Sequence, residues 1–163
     1  MKILGHRHTG IIVNDFEKML EFYVGLGLVL RRRDFEEGPF IDGLLGTDNI
    51  LLETAKLVLE DEDIPVKYRF QLELMKIKNK NVETKSILGN STNFDFFGRS
   101  TGILDIAFTV DDIDSVLRFI VKHGGNLIGE PLAAVAGFPA LHCYARDPEG
   151  NVLHIAENLS TKR

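Results

Sequence analysis

Residues 8–28 read HTGIIVNDFEKMLEFYVGLGL, and residues 105–125 read DIAFTVDDIDSVLRFIVKHGG. The two stretches align without gaps at an offset of 97 residues, with Val13 on Val110 and Asp15 on Asp112. Phe16, Met19, Leu20 and Tyr23 fall on Ile113, Val116, Leu117 and Ile120. Both sets follow the i, i+3, i+4, i+7 spacing of an amphipathic helix. Asn14 with Glu17, and Asp111 with Asp114, stand where capping boxes would start the helices. Gly25 and Gly27 close the first helix, and Gly124 and Gly125 the second.

Around each helix the pattern turns to strands. One precedes each helix, at 9–13 and 106–110. Three follow the first helix, at 28–35, 49–59 and 67–77, with a turn at 61–65. Three follow the second, at 126–129, 140–146 and 152–157, with a hairpin turn of composition DPEGN at 147–151. Each half therefore reads strand, helix, three strands, as an α+β fold of paired βαβββ modules. The modules span 8–77 and 102–159 of one 163-residue domain. Residues 78–101, rich in Asn, Lys, Ser and Thr, read as the linker. Phe94, Phe96 and Phe97 within it either pin it to the surface or cover a ligand.

Alternation assigns faces. Thr9, Ile11 and Val13, like Ile106, Phe108 and Val110, give each helix an apolar floor. His8 and Asp105 then point away from the helices. In the last strand of each module the leucine and isoleucine positions share one face, and Glu73 and His154 take the other. Each half thus offers one early and one late polar residue at equivalent places.

These segments, with FQLELM, GILDIAFTVDDID and YARDPEGNVLHIAEN, closely resemble the vicinal oxygen chelate superfamily. That superfamily includes glyoxalase I, methylmalonyl-CoA epimerase, extradiol dioxygenases and bleomycin-resistance proteins. The resemblance implies a cup-shaped mixed sheet around a divalent metal, with a ligand from each of four strands. Carried over place by place, the ligands are His8, Glu73, Asp105 and His154. Relatives of the glyoxalase and epimerase kind usually have His at the place of Asp105 and Glu at the place of His154; this chain has both the other way. Two imidazoles and two carboxylates suit Zn, Ni, Co, Mn or Fe. Asp105 has the shorter reach and is either a ligand or a residue that orients one.

The resemblance implies a metal-dependent lyase or isomerase that takes a proton from carbon beside a metal-bound carbonyl. Glu73 is the catalytic base in that reading, with Gln71 on the same face to hydrogen-bond it or the substrate. Ring-cleaving dioxygenation around iron and metal-free drug binding are the alternatives. The partners implied are a small-molecule substrate and a second copy of the chain, since paired modules leave sheet edges to cover.

Composition narrows the rest. A net charge of −5 argues against a general nucleic-acid binder. No apolar run reaches membrane-spanning length, and residues 1–9 have no signal-peptide core, so a cytoplasmic, membrane-free setting is expected. Cys143 is the single cysteine, which excludes a disulfide framework, and reads as buried packing. Arg31, Arg32 and Arg33 read as solvated, with phosphate binding the sharper alternative. His6 is a candidate rim residue, and His123 suits a helix C-terminus. His142 is a spare imidazole whose face the sequence leaves open. Residues 40–46, FIDGLLG, form a short helical turn that is either a lid or an ordinary connection.

Overall fold

The computed structural model describes residues 2, 5–65, 68–80, 102–134 and 139–159. The chain divides into two units, Met1–Gly89 and Asn90–Arg163. In the first unit the elements are β1 (Thr9–Ile12), α1 (Phe16–Gly25), β2 (Val29–Glu37), α2 (Pro39–Leu45), β3 (Ile50–Val58) and β4 (Gln71–Asn79). In the second they are β5 (Ile106–Val110), α3 (Ile113–Lys122), β6 (Asn126–Leu127), β7 (Leu132–Ala133), β8 (Ala140–Arg146) and β9 (Val152–Asn158). Strand β4 continues through Lys78 and Asn79, past the expected end of the first module. Phe94, Phe96 and Phe97 lie outside the described residues.

Each unit builds a mixed sheet of the same order. The first runs β1-β4-β3-β2, and the second runs β5-β9-β8-β6 with β7 also on β8. The first and last strands of each module pair in parallel, and the others are antiparallel. The register repeats with the sequence: Glu73 lies beside Gly10, and His154 beside Ala107. Gly10 and Ala107 are themselves mates at the 97-residue offset. Glu73 and His154 therefore occupy equivalent points of two sheets.

The helix ends repeat at the level of single hydrogen bonds. The amides of Leu26, Gly27 and Leu28 bond to the carbonyls of Phe22, Val24 and Tyr23. Those of His123, Gly124 and Gly125 bond to the carbonyls of Phe119, Val121 and Ile120. Gly27 at φ 103° and Gly124 at φ 95° hold the left-handed position that ends each helix. The starts differ from the expected capping boxes. The caps are Asp15 and Asp112, one residue later, whose carboxylates accept from the amides of Lys18 and Ser115. Lys18 and Ser115 stand at the third helical position, where neither supplies the Glu or Gln that a box requires.

The core lies between each helix and its sheet. Phe16, Met19, Leu20 and Tyr23 are all buried, against Leu57, Leu72 and Leu74 on the same side of the first sheet. In the second unit Ile113, Leu117 and Ile120 are buried with Leu153 and Ile155, while Val116 is half-buried. Glu157, also buried, accepts the amide of Ile113 at 2.8 Å and so ties β9 to the start of α3. One edge departs from expectation. Instead of a single strand at 126–129, two short strands lie along β8, with a register offset of two residues between them. Pro131 lies between them and has no amide to extend the ladder.

Two glycines make opposite predictions. A Cβ on Gly125 would lie 2.3 Å from the Arg146 carbonyl and 2.7 Å from Ile120 Cγ2. A Cβ on Gly10 would meet only the end of the flexible Met75 side chain, at 2.6 Å. Gly125→Ala is expected to cost about 1–3 kcal/mol or more, and Gly10→Ala under about 1 kcal/mol. Urea denaturation of the two variants checks this.

Candidate metal centre

Period-2 alternation places Gln71, Glu73, Met75 and Ile77 on the face of the first sheet away from α1. Glu73 is only 7% exposed there. His8, just before β1, brings Nε2 to 3.1 Å from Glu73 Oε2. Lys56, the β3 residue in register with Glu73, brings Nζ to 3.5 Å from Oε1. The buried carboxylate is thus held by an imidazole on one oxygen and an ammonium on the other. Such pairing offsets the cost of burying its charge. A groove of about 530 Å³ opens beside them, lined by His6, His8, Lys56, Tyr68 and Gln71 among others. Helix α2 covers the far end of this same face. Its Ile41 is buried with Ile50 and Leu52, and Met75 and Ile77 pack against that cluster. Asp42 Oδ1 accepts the Ile50 amide at 2.9 Å and fixes α2 to β3.

In the second unit, Tyr144 stands in register with His154, at the place that Lys56 holds beside Glu73. The Tyr144 ring stacks on His154 with centroids 4.7 Å apart. The Tyr144 hydroxyl donates to the Asp105 carboxylate. Burial, and then the Asp105 charge, push the Tyr144 phenol above its ordinary pKa. His142, two residues before Tyr144 on the same face of β8, places Nδ1 3.0 Å from His154 Nε2. His142, Tyr144 and His154 are all half-buried.

The structure therefore brings the expected residues together as pairs: His8 meets Glu73, and Asp105 reaches His154 by way of Tyr144. Among the described residues, no group of three or more His, Cys, Asp or Glu side chains is close enough to hold a metal ion. Each pair supplies two donors of the kind an ion takes, at a separation that a hydrogen bond also has. Donors in adjacent positions on an ion with bonds near 2.1 Å lie about 3 Å apart. The His8–Glu73 separation of 3.1 Å and the His142–His154 separation of 3.0 Å both match that.

Three contacts were not foreseen. Lys56, Tyr144 and His142 all lie on the site face of β3 or β8, the strand antiparallel to the last one of each unit. Register against the late donor is the signal that finds them, and pairing register is a tertiary property. Other expectations resolve simply. Arg31 pairs with Glu60, Arg32 with Asp34, and Arg33 with Glu17 and Glu53, so carboxylates engage the arginine run. His6 lines the groove, and His123 Nδ1 lies 2.8 Å from the Phe119 carbonyl at the end of α3. Cys143 is buried and bonds through Sγ to the Gly129 carbonyl at 3.2 Å. Burial above all, and then the charge of Glu130, raise its thiol pKa. Iodoacetamide at pH 8 is accordingly expected to leave Cys143 unmodified in native protein and to alkylate it in denaturant, as read by mass spectrometry.

Comparison with known proteins gives the class. The family model for the glyoxalase/bleomycin resistance protein/dioxygenase superfamily matches residues 5–155, and the chain belongs to that superfamily. No curated protein matches it in sequence. A glyoxalase family protein from Bacillus cereus has 25% sequence identity over 98% of this chain and 97% of its own, with a TM-score of 0.76. Glyoxalase I from Zea mays has 21% identity over 95% of this chain but 47% of its own, with a TM-score of 0.58. A glyoxalase family protein from Enterococcus faecalis has 18% identity over 96% of this chain and all of its own, with a TM-score of 0.53. At such identities the last two show the shared fold. No helix among the described residues is long and apolar enough to cross a membrane.

Proposed function

We propose that this chain is a metal-dependent lyase or isomerase of the glyoxalase and epimerase type. His8, Glu73 and His154 hold a divalent cation in this reading, with Asp105 as the fourth member of the site. Membership of the superfamily supports the class. The observation that carries the reading is the His8–Glu73 pair, 3.1 Å apart, with the carboxylate buried beside an open groove.

The cation, when bound, acts as a Lewis acid toward the substrate oxygen and stabilises negative charge that develops there. The remaining work falls to side chains of the chain. Glu73 takes the proton from the carbon next to the substrate carbonyl. Burial keeps bulk water from competing for its carboxylate. Lys56 holds Oε1 and so fixes the plane of the carboxylate. Gln71, two residues away on the same face and part of the groove lining, orients the substrate. Zinc, nickel, cobalt, manganese and iron all suit these donors.

The test is solvent deuterium exchange at the acidic carbon, followed by NMR with protein loaded with each metal. A glutathione hemithioacetal and a 2-methyl-branched CoA thioester are the two substrates to offer. Metal-dependent exchange into either supports the reading. Metal-independent binding of planar drugs without exchange contradicts it, as does oxygen uptake on catechols by the iron form. Each sheet ends in edge strands, β1 and β2 in one and β5 and β6 in the other, and the same reading includes a homodimer. Light scattering at twice the 18.3 kDa chain mass would bear this out.

A further inference from the structure

We propose that the groove of the first unit takes a substrate carrying a carboxylate remote from its reacting carbon, and that Arg7 holds that carboxylate. The proposal names the substrate class of the site above. It rests on that reading only for the statement that the bound molecule reacts, since the binding itself needs no metal. Every residue it uses as a contact lies within Met1–Gly89.

Arg7 is set apart by the lack of a counter-charge. Arg31, Arg32 and Arg33 are each paired with carboxylates. Arg69 donates to the Ile64 carbonyl at 2.7 Å, and Arg118 to Ser115 Oγ at 2.9 Å. Arg146 is engaged as well. Arg7 has neither an ion pair nor a hydrogen bond to its guanidinium among the described residues, yet it lines the groove of about 530 Å³. Lys56, the other cation of that groove, is tied to Glu73 at 3.5 Å. Those two charges offset each other, and Arg7 leaves one positive charge over. The chain as a whole carries −5, so this excess runs against the sign of the protein.

One uncompensated guanidinium matches a carboxylate. The charges balance one to one, and two oxygens meet the N–H fork in parallel. A phosphate dianion would leave a negative charge over beside Glu73. The groove volume suits a small molecule. Tyr68, 61% exposed in the groove wall, offers a ring to the apolar body of such a ligand. Its amide donates to the Pro65 carbonyl at 2.8 Å, which with the Arg69 bond to Ile64 folds the turn that carries the ring. Arg7 directly precedes His8, whose imidazole lies 3.1 Å from Glu73. A molecule anchored at Arg7 thus runs along the groove toward the carboxylate that serves as base in the proposed reaction.

Phenylacetate, phenylacetamide and phenyl phosphate are the probes. They are titrated into metal-free protein and read by calorimetry and by ¹⁵N NMR of the arginine side chains. Phenylacetate is expected to move the Arg7 Nε resonance and to bind about 10-fold or more tightly than either other probe. Arg7→Gln should weaken phenylacetate by about 10–100-fold and leave phenylacetamide unchanged. Arg31→Gln removes the same charge elsewhere and should leave both unchanged. In turnover of a glutathione hemithioacetal by metal-loaded protein, Arg7→Gln should raise KM by the same factor and leave kcat within about 2-fold. Equal affinity for phenylacetate and phenylacetamide overturns the inference. So do tighter binding of phenyl phosphate, equal losses in Arg7→Gln and Arg31→Gln, and a wild type that binds none of the probes. Arg7-dependent carboxylate binding by a protein that turns over nothing with any metal supports the inference and overturns the metal-dependent reading. Turnover with a KM that Arg7→Gln leaves unchanged does the reverse.

Discussion

Glu73→Gln is expected to lower turnover by roughly 10²–10⁴-fold while the fold survives. The substitution keeps the shape of the side chain and removes the carboxylate that serves as base in the proposed reading. Its amide still meets His8 and Lys56, each about a third exposed as a side chain and able to find water. The expected stability change is therefore within about 1 kcal/mol. The effect should fall on kcat, since proton transfer is a transition-state event. Deuterium exchange at the substrate carbon gives the rate, and thermal melts followed by circular dichroism give the stability. Full activity in this variant would remove Glu73 from the chemistry.

The next residue along the strand should behave in the opposite way. Leu74 is fully buried on the α1 side of the sheet, with Leu57 and Leu72. Leu74→Ala removes three buried carbons and leaves a cavity, which costs about 2–5 kcal/mol. That is a large part of the 5–15 kcal/mol a domain usually has in hand. A loss of 3 kcal/mol lowers the melting temperature of a chain this size by about 6–12 °C. The protein that remains folded at 10 °C should turn over at nearly the wild-type rate. Glu73 and Leu74 are neighbours in sequence, but β4 points them to opposite faces, so one substitution is expected to remove the proposed chemistry and the other stability. A Leu74→Ala protein of wild-type melting temperature would contradict the assignment of faces.

The repeat made much of this legible. A helical stripe with caps and a terminal glycine is a local pattern, and its recurrence at a fixed offset carries the second module on the evidence of the first. Both repeat helices followed from the i, i+3, i+4, i+7 stripe, and the sheet faces of Glu73 and His154 from strand alternation. The cap positions were misplaced by one residue because Asn14-Asp15 and Asp111-Asp112 offer adjacent candidates. Only backbone geometry chooses between them. The split edge of the second sheet was hidden because two-residue strands carry no periodicity. The contacts of Lys56, Tyr144 and His142 were out of reach for a deeper reason. They depend on which residue of β3 or β8 stands opposite the last strand, and a shift of one residue would move all three to the other face. For α2, the FIDGLLG composition gave a helical turn but not its seat, which Ile41 and the Asp42 bond to Ile50 define.

The most direct test of the central claim is the metal content of purified protein by elemental analysis, compared among wild type, His8→Ala and His154→Ala. In the proposed reading His8 and His154 are both ligands, so wild type should carry a stoichiometric divalent metal and each single variant should lose it, though each removes a donor from a different half of the chain. A wild-type protein that takes up no divalent metal, or a His154→Ala protein that keeps its full complement, would contradict the claim.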